Sequence, residues 1–410
     1  MVLTKSAGVA YMCRSTFWHL GDPRREVQRD DMTHGAFTVA EFQGRVERVQ
    51  KAMAEEKLDA LLVTRPQNVY YLTGFRSMGA GLAAGMGNIH AALVPASGTP
   101  TLFVRALETR TAAKYCWAEV EPYRDYEDAY GAIVRRLPAG TRRLGIEYLE
   151  ITALQLERLR RAETAVEMPD VSGLVEALRR VKSPREIEHC REAGRIADVG
   201  LHAAIEAVKD GARVASVVAE ATAAMYEQGQ DDVNWPPVLV WSGPEGGLMH
   251  DTALEGVISA GHLVTLEVTG TRELYVADAM GTICVGASSK AIEEGYATAV
   301  ALHDAAQRAL RAGVTGHDVH AEADRVFQAA GHGPYARRVG GAIGINSQPS
   351  LFFEGLNLVK GEATRLERGM TVLVQPGVDR PAMMIVASTN LVGQDGFEEL
   401  THPLSRLVRR

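Results

Sequence analysis

Glu267 and Asp278 stand eleven residues apart within Leu263 to Val285, a stretch rich in β-branched and apolar residues with Gly270 near its middle. That composition predicts two strands joined by a reversal. A turn centred between Arg272 and Glu273 sets position 267 opposite 278. Directly opposed residues on one sheet face have Cβ atoms roughly 4.5–5.5 Å apart, and like charges there repel. Two carboxylates among apolar strands need a cation between them, or one must hold a proton. A metal ion and a positively charged substrate both satisfy that need.

The flanking sequence supplies the elements that must hold this pair. Phe42, Val46, Val49 and Met53 recur at helical spacing between Thr38 and Lys57. Ala60 to Thr64, the runs 91–94 and 101–104, and Leu144 to Ile146 read as strands, with a turn at Arg65 to Asn68. An α/β domain is therefore expected over residues 38–175, preceded by an extension over 1–37 whose aromatics and charges show no period. Ser183-Pro184, with Glu186 close behind, opens a long helix. A second helix near 213–228, strands near 238–242, 263–269 and 275–285, and helices near 290–311 and 317–330 follow. With apolar runs at 372–374 and 383–386, they predict an α+β second domain over 176–410. Gly74 to Gly87 holds five glycines and reads as a mobile loop.

Length and composition agree with two soluble domains, since 410 residues exceed the usual size of one. A net charge of −7, with no Lys/Arg stripe among aromatics, argues against nucleic acid as a partner. Cys13, Cys116, Cys190 and Cys284 show neither paired nor metal-type spacing, which fits a reduced cytoplasmic setting. No run of eighteen apolar residues occurs, so no membrane partner is expected. His317 and His320 lie three apart without a third donor nearby and read as a solvated helix face.

Several blocks together resemble one family. Asn68-Val-Tyr-Tyr-Leu-Thr-Gly74, Lys182-Ser-Pro-Arg-Glu-Ile187, His250 ahead of the hairpin and Arg338-Val-Gly-Gly-Ala-Ile-Gly344 are similar, in order, to the pita-bread fold of creatinase, aminopeptidase P and prolidase. The resemblance implies an α/β N-terminal domain and an α+β pita-bread C-terminal catalytic domain. Metal-dependent members hold two ions through two Asp, one His and two Glu. Position by position these become Glu267, Asp278, Gly341, Gln375 and either Ala387 or Ser388. The resemblance therefore implies neither metal nor cofactor, and looks nearest to creatinase and ectoine hydrolase, with Gly341 to Asn346 similar to the ectoine-hydrolase block.

On that basis His250 is the expected acid/base, because an imidazole can take a proton from water and return it to a leaving nitrogen. Glu267 and Asp278 are expected to hold a cationic centre. Gln375 at the pocket floor, Trp241 as a wall, Arg76 and Phe353 complete the expected substrate-binding set. The resemblance implies a homodimer in which the Arg76 loop reaches the neighbouring subunit's site. The leading expectation is a metal-independent hydrolase of a non-peptide C–N bond in a small amidine or guanidine. A lyase or cyclase on a specialised metabolite, and a pseudo-peptidase that binds a peptide or protein, are the alternatives. An Xaa-Pro aminopeptidase ranks last.

Overall fold

The computed structural model describes residues 36–77, 79–231, 236–345 and 353–410, without the side chains of 80–82 and Phe353. Residues 1–35 of the expected extension, and Asn346 of the glycine-rich block, lie outside these residues. Phe37, at the end of that extension, is buried and packs edge-on against Phe42, His189 and Tyr275.

The N-terminal half runs α1 Val39–Glu55, β1 Ala60–Val63, α2 Pro66–Thr73, α3 Gly79–Gly85, β2 Ala91–Pro95, β3 Thr101–Arg105, α4 Thr109–Tyr115, β4 Glu119–Tyr123, α5 Ala129–Arg135, β5 Leu144–Ile146, α6 Ala153–Ala162 and α7 Leu174–Arg179. Thr38 caps α1 in a capping box with Glu41, and Phe42, Val46, Val49 and Met53 form its buried stripe. The strands make one sheet in the order β4–β3–β2–β1–β5, with β1 antiparallel to β2 and parallel to β5. Two expectations change here. Arg65 to Asn68 is no turn: Pro66 occupies the first turn of α2, where a missing N–H costs nothing, and Gly74 closes the helix at φ 75°. The glycine-rich stretch is partly helical, as α3.

The C-terminal half begins with α8 Pro184–Ala207, capped by Ser183 and Glu186 as the sequence predicts. It continues with α9 Val214–Glu227, β6 Val238–Gly243, β7 Leu263–Arg272, β8 Tyr275–Cys284, α10 Lys290–Ala309, α11 Gly316–Ala329, β9 Gly340–Ile343, β10 Phe353–Leu358, β11 Thr371–Val374, β12 Gly377–Val378, β13 Met384–Ile385 and β14 Ala387–Val392. The main sheet is ordered β10–β9–β11–β14–β8–β7–β6. Its two faces differ because side chains alternate along each strand. Val264, Leu266 and Val268 meet Ile196, Leu201 and Met225 of α8 and α9. Val372 and Val374 meet Leu302 and Val319 of α10 and α11. The other face carries a separate apolar cluster and the acidic pair.

The halves are joined by buried charge. Glu354 of β10 accepts from Lys182 and lies 3.3 Å from the Arg179 guanidinium, all three being almost fully buried. Tyr275 donates to Glu186 at 2.6 Å beside buried Arg45. No described helix is long and apolar enough to cross a membrane.

Candidate active site

The β7–β8 hairpin sets the geometry of the acidic pair. Its turn is Glu273-Leu274, both at positive φ (48° and 66°), the two-residue I′ geometry whose twist matches the flanking strands. Glu267 therefore faces Met280, and Asp278 faces Thr269, one step further round than a turn at 272–273 gives. The shift keeps parity: both carboxylates remain on the face opposite the helices, as diagonal neighbours instead of a directly opposed pair.

Burial dominates their electrostatics. It pushes Glu267 up to about 7, against the pull of the Arg338 guanidinium nearby. Burial first, and then the Glu267 charge, hold Asp278 well above the ordinary carboxylate range. The Ala279 amide and the Thr269 hydroxyl lie near enough to oppose this, but neither reaches the carboxylate with hydrogen-bond geometry. Asp278 is fully buried, yet neither of its oxygens has a hydrogen-bond partner. Its backbone, in contrast, is pinned: the N–H donates to Thr389 Oγ1 at 2.7 Å, and the carbonyl accepts from Thr389 and Thr401 at 2.9 Å each.

Apart from Thr269 opposite Asp278, and Thr265 paired with Thr282 further along, the face around the pair is mainly apolar. Leu239, opposite Glu267 on β6, joins Trp241, Met280, Ile343, Leu373 and Ala387 in one buried cluster, with Met249 and Met383 packed against it. Trp241 thus belongs to the site face, and its Nε1 donates to the Asp251 carbonyl at 3.1 Å. This bond ties down the loop bearing His250, whose ring meets Trp241 edge-on with centroids 5.8 Å apart. His250 is exposed and its φ is 64°. Gln375 is half-buried at the end of β11 and turns its amide NH₂ onto the Met280 sulfur at 2.7 Å.

Arg76 falls elsewhere, whereas the backbone of Phe353 stands at a register position opposite Ile343 of the site face. Arg76 pairs with Glu273 at 3.0 Å and Asp231 at 3.4 Å within its own chain, clasping the hairpin turn to the N-terminal half. Phe353 begins β10, and its side chain lies outside the described residues. The register also resolves the last ligand position. Ala387 faces Met280 on the site face, whereas Ser388 faces Ala279 on the helix side, where His303 meets its hydroxyl at 2.8 Å. Sequence reasoning missed Leu239, Met280, Ile343 and Leu373 as site-face residues, because only the register assigns them a side.

An acidic pair on the helix-free face of a sheet, behind an α/β N-terminal domain, defines a pita-bread hydrolase scaffold. The chain belongs to the family described as metallopeptidase family M24, whose model matches residues 188–394; that of a creatinase/prolidase N-terminal domain matches residues 45–181. It is 25% identical over 360 residues to the Xaa-Pro dipeptidase of Pyrococcus furiosus, covering 87% of this chain and 97% of that one. It is 28% identical over 385 residues to an uncharacterized hydrolase/peptidase of Sinorhizobium fredii, covering 89% and 95%. The crystal structure of dipeptidase PepE from Mycobacterium ulcerans superposes with a TM-score of 0.77 at 25% identity, over 92% of this chain and 99% of that one.

These relatives overturn the expected activity. Dipeptidases cut peptide bonds, so the kinship lies with peptidases and not with enzymes that open amidine or guanidine C–N bonds. The reading as a creatinase-like amidinohydrolase of non-peptide C–N bonds falls with it, and the matching family model is one of metallopeptidases, against the expected absence of metal.

A metallopeptidase family implies metal ions, and the side chains present test that implication. Glu267 and Asp278 are the acidic donors at the five positions; Gly341 offers none, Gln375 is a neutral amide and Ala387 is a buried methyl. Among the described residues, no group of three or more His, Cys, Asp or Glu side chains is placed to hold a metal ion. Two-ion sites need several anionic or imidazole donors at each ion. These residues do not fit such a centre.

Proposed function

We propose that this protein acts on a short peptide or dipeptide-like amide, and that Glu267 and Asp278 receive the substrate's α-ammonium group. The observation that carries this reading is Asp278, fully buried beside a second carboxylate with both oxygens unpartnered. Ordinary folded proteins pair such groups, and an ammonium supplies three donors and the compensating charge. The substrate class follows from the dipeptidase relatives. With the amino end docked at the pair, water attacks the amide carbon and gives a proton to His250, on the loop beside Trp241, which hands it to the nitrogen as the C–N bond breaks. Two copies of the chain associate as a homodimer, as the resemblance implies, and sedimentation velocity checks it.

The test is a panel of dipeptides, Xaa-Pro members included, each with its N-acetyl counterpart, read by mass spectrometry and calorimetry. Addition of one water to free-amine dipeptides alone supports the proposal. Equal behaviour of free and acetylated forms, or no interaction with either, overturns it. A second reading, capture without cleavage, draws on the three positions that carry no ligand side chain. Binding of the free-amine forms without any mass change would establish it.

A further inference from the structure

We infer that the site face of this chain is a pocket for one organic ammonium group carrying a compact apolar body, and that the two-ion centre of its family is not assembled on it. The inference deepens the peptide reading above and rests on it for the ligand's place.

Two separate features carry it. The first is the state of the carboxylates. An acidic pair alone marks no ligand, but Asp278 is wholly buried with two orphaned oxygens on that face. A buried acceptor left without a donor is destabilising, and a donor-rich guest removes that cost. The second feature is what surrounds the pair. Where a cation cradle needs oxygen and nitrogen donors, the register places Leu239 and Met280 on either side of Glu267, and Ala387 beyond Met280. Leu373 faces Gly341 across the β9–β11 ladder, and Trp241 and Ile343 complete the floor.

A thioether, an indole and four hydrocarbon side chains are poor ligands for hard or borderline divalent ions. Gln375 reinforces the point by bonding the Met280 sulfur with its NH₂ group, a donor that a metal cannot use. The same surface suits a hydrocarbon group attached to an ammonium. The charge meets the carboxylates, and the hydrocarbon loses water against Leu239, Trp241 and Met280.

The experiment uses the full-length protein, purified without chelator, and has two arms. Elemental analysis by mass spectrometry, before and after dialysis against Mn²⁺, Co²⁺ or Zn²⁺, is expected to find far less than one ion per chain. One or two ions per chain, lost in Asp278→Asn, would overturn the inference while leaving peptide recognition standing. Calorimetry with leucinamide, glycinamide and N-acetyl-leucinamide forms the second arm. Leucinamide is expected to bind about ten-fold or more tighter than glycinamide, the value of an apolar side group in a matching pocket. It should exceed the acetylated form by at least as much, and Asp278→Asn should abolish the difference. Equal affinity for all three amides would sink the ammonium pocket. Amide binding that follows this order without any response to dipeptides upholds the inference and removes the peptide reading instead.

Discussion

Glu267 and Asp278 lie diagonally across the β7–β8 ladder, each facing an uncharged partner, Met280 and Thr269. Diagonal neighbours sit roughly 7–8 Å apart at the backbone, still within reach of carboxylate side chains. The spacing leaves room for a guest between the charges, and burial leaves both acids desolvated.

Neutralising that pair should therefore separate binding from stability. Asp278→Asn keeps the shape, removes the charge and supplies the two N–H donors of an amide to the site. Affinity for a free-amine dipeptide is expected to fall about ten-fold or more. Folding stability is expected to stay level or rise, because a desolvated acid is replaced by a neutral amide. Paired calorimetry and urea unfolding check both halves; a variant that binds as well as the parent removes Asp278 from the site.

The raised acids also fix the sign of the pH dependence. Burial lifts Glu267 from 4.5 to about 7, so the folded chain holds its proton more tightly than the unfolded chain. The stability this provides is fully present below about pH 4.5 and is lost as pH rises through 7, by up to about 1.4 kcal/mol per pH unit. Glu147 titrates in the same window: burial and the Glu176 charge push it up to about 7 in spite of the Thr64, Arg65 and Asn68 donors. Urea unfolding at pH 5 and pH 7.5 should show a smaller fall in Glu267→Gln than in the parent, and a further reduction when Glu147→Gln is added. An unchanged difference in Glu267→Gln would mean that the acid is not desolvated.

The φ of 64° at His250 sets up a third test. Glycine adopts that conformation without strain, whereas alanine does not. His250→Gly should gain up to about 1 kcal/mol in thermal stability, whereas His250→Ala, which keeps the Cβ strain the histidine already carries, should stay near the parent. Both should lower peptide turnover about 10²- to 10⁴-fold if the imidazole moves the proton. Full turnover in the glycine variant would assign the histidine to the loop alone.

The sequence made much of this frame legible, and particular residues show where it stopped. The Ser183/Glu186 capping box and the stripe from Phe42 to Met53 announce α8 and α1 because local chemistry determines both. The hairpin was readable from its β-branched strands, but its register was not. Gly270 suggests a reversal, yet it lies inside β7, where a Cβ would collide with the Ala193 carbonyl oxygen of α8. The true turn uses Glu273 and Leu274, residues that carry no turn signal. The apolar floor stayed hidden for the same reason: Leu239, Met280 and Leu373 read as ordinary strand residues until pairing assigns them a face. The kind of bond acted on was not written in the spacing of two carboxylates, which suits an amidine and a peptide amine equally.

The seam between the halves gives the last prediction. Glu354 lies almost fully buried between Lys182, whose ammonium also donates to the Ile343 carbonyl at 2.7 Å, and Arg179, whose guanidinium donates to Asn68 at 2.5 Å. Glu354 pairs with both cations, so truncating it strands the buried Lys182 ammonium and leaves Arg179 only Asn68 and the Glu176 charge. Loss of one partner from a buried ion cluster costs about 3–5 kcal/mol. Glu354→Ala should therefore lose about that much in urea unfolding. Ile343 belongs to the apolar floor and Lys182 holds its carbonyl, so the damage should reach the site. Dipeptide affinity should weaken in Glu354→Ala, whereas Arg191→Ala, which breaks the exposed pair with Glu398, should leave affinity and stability nearly untouched. Matching losses in the two variants would show that burial at the seam gives Glu354 no special part.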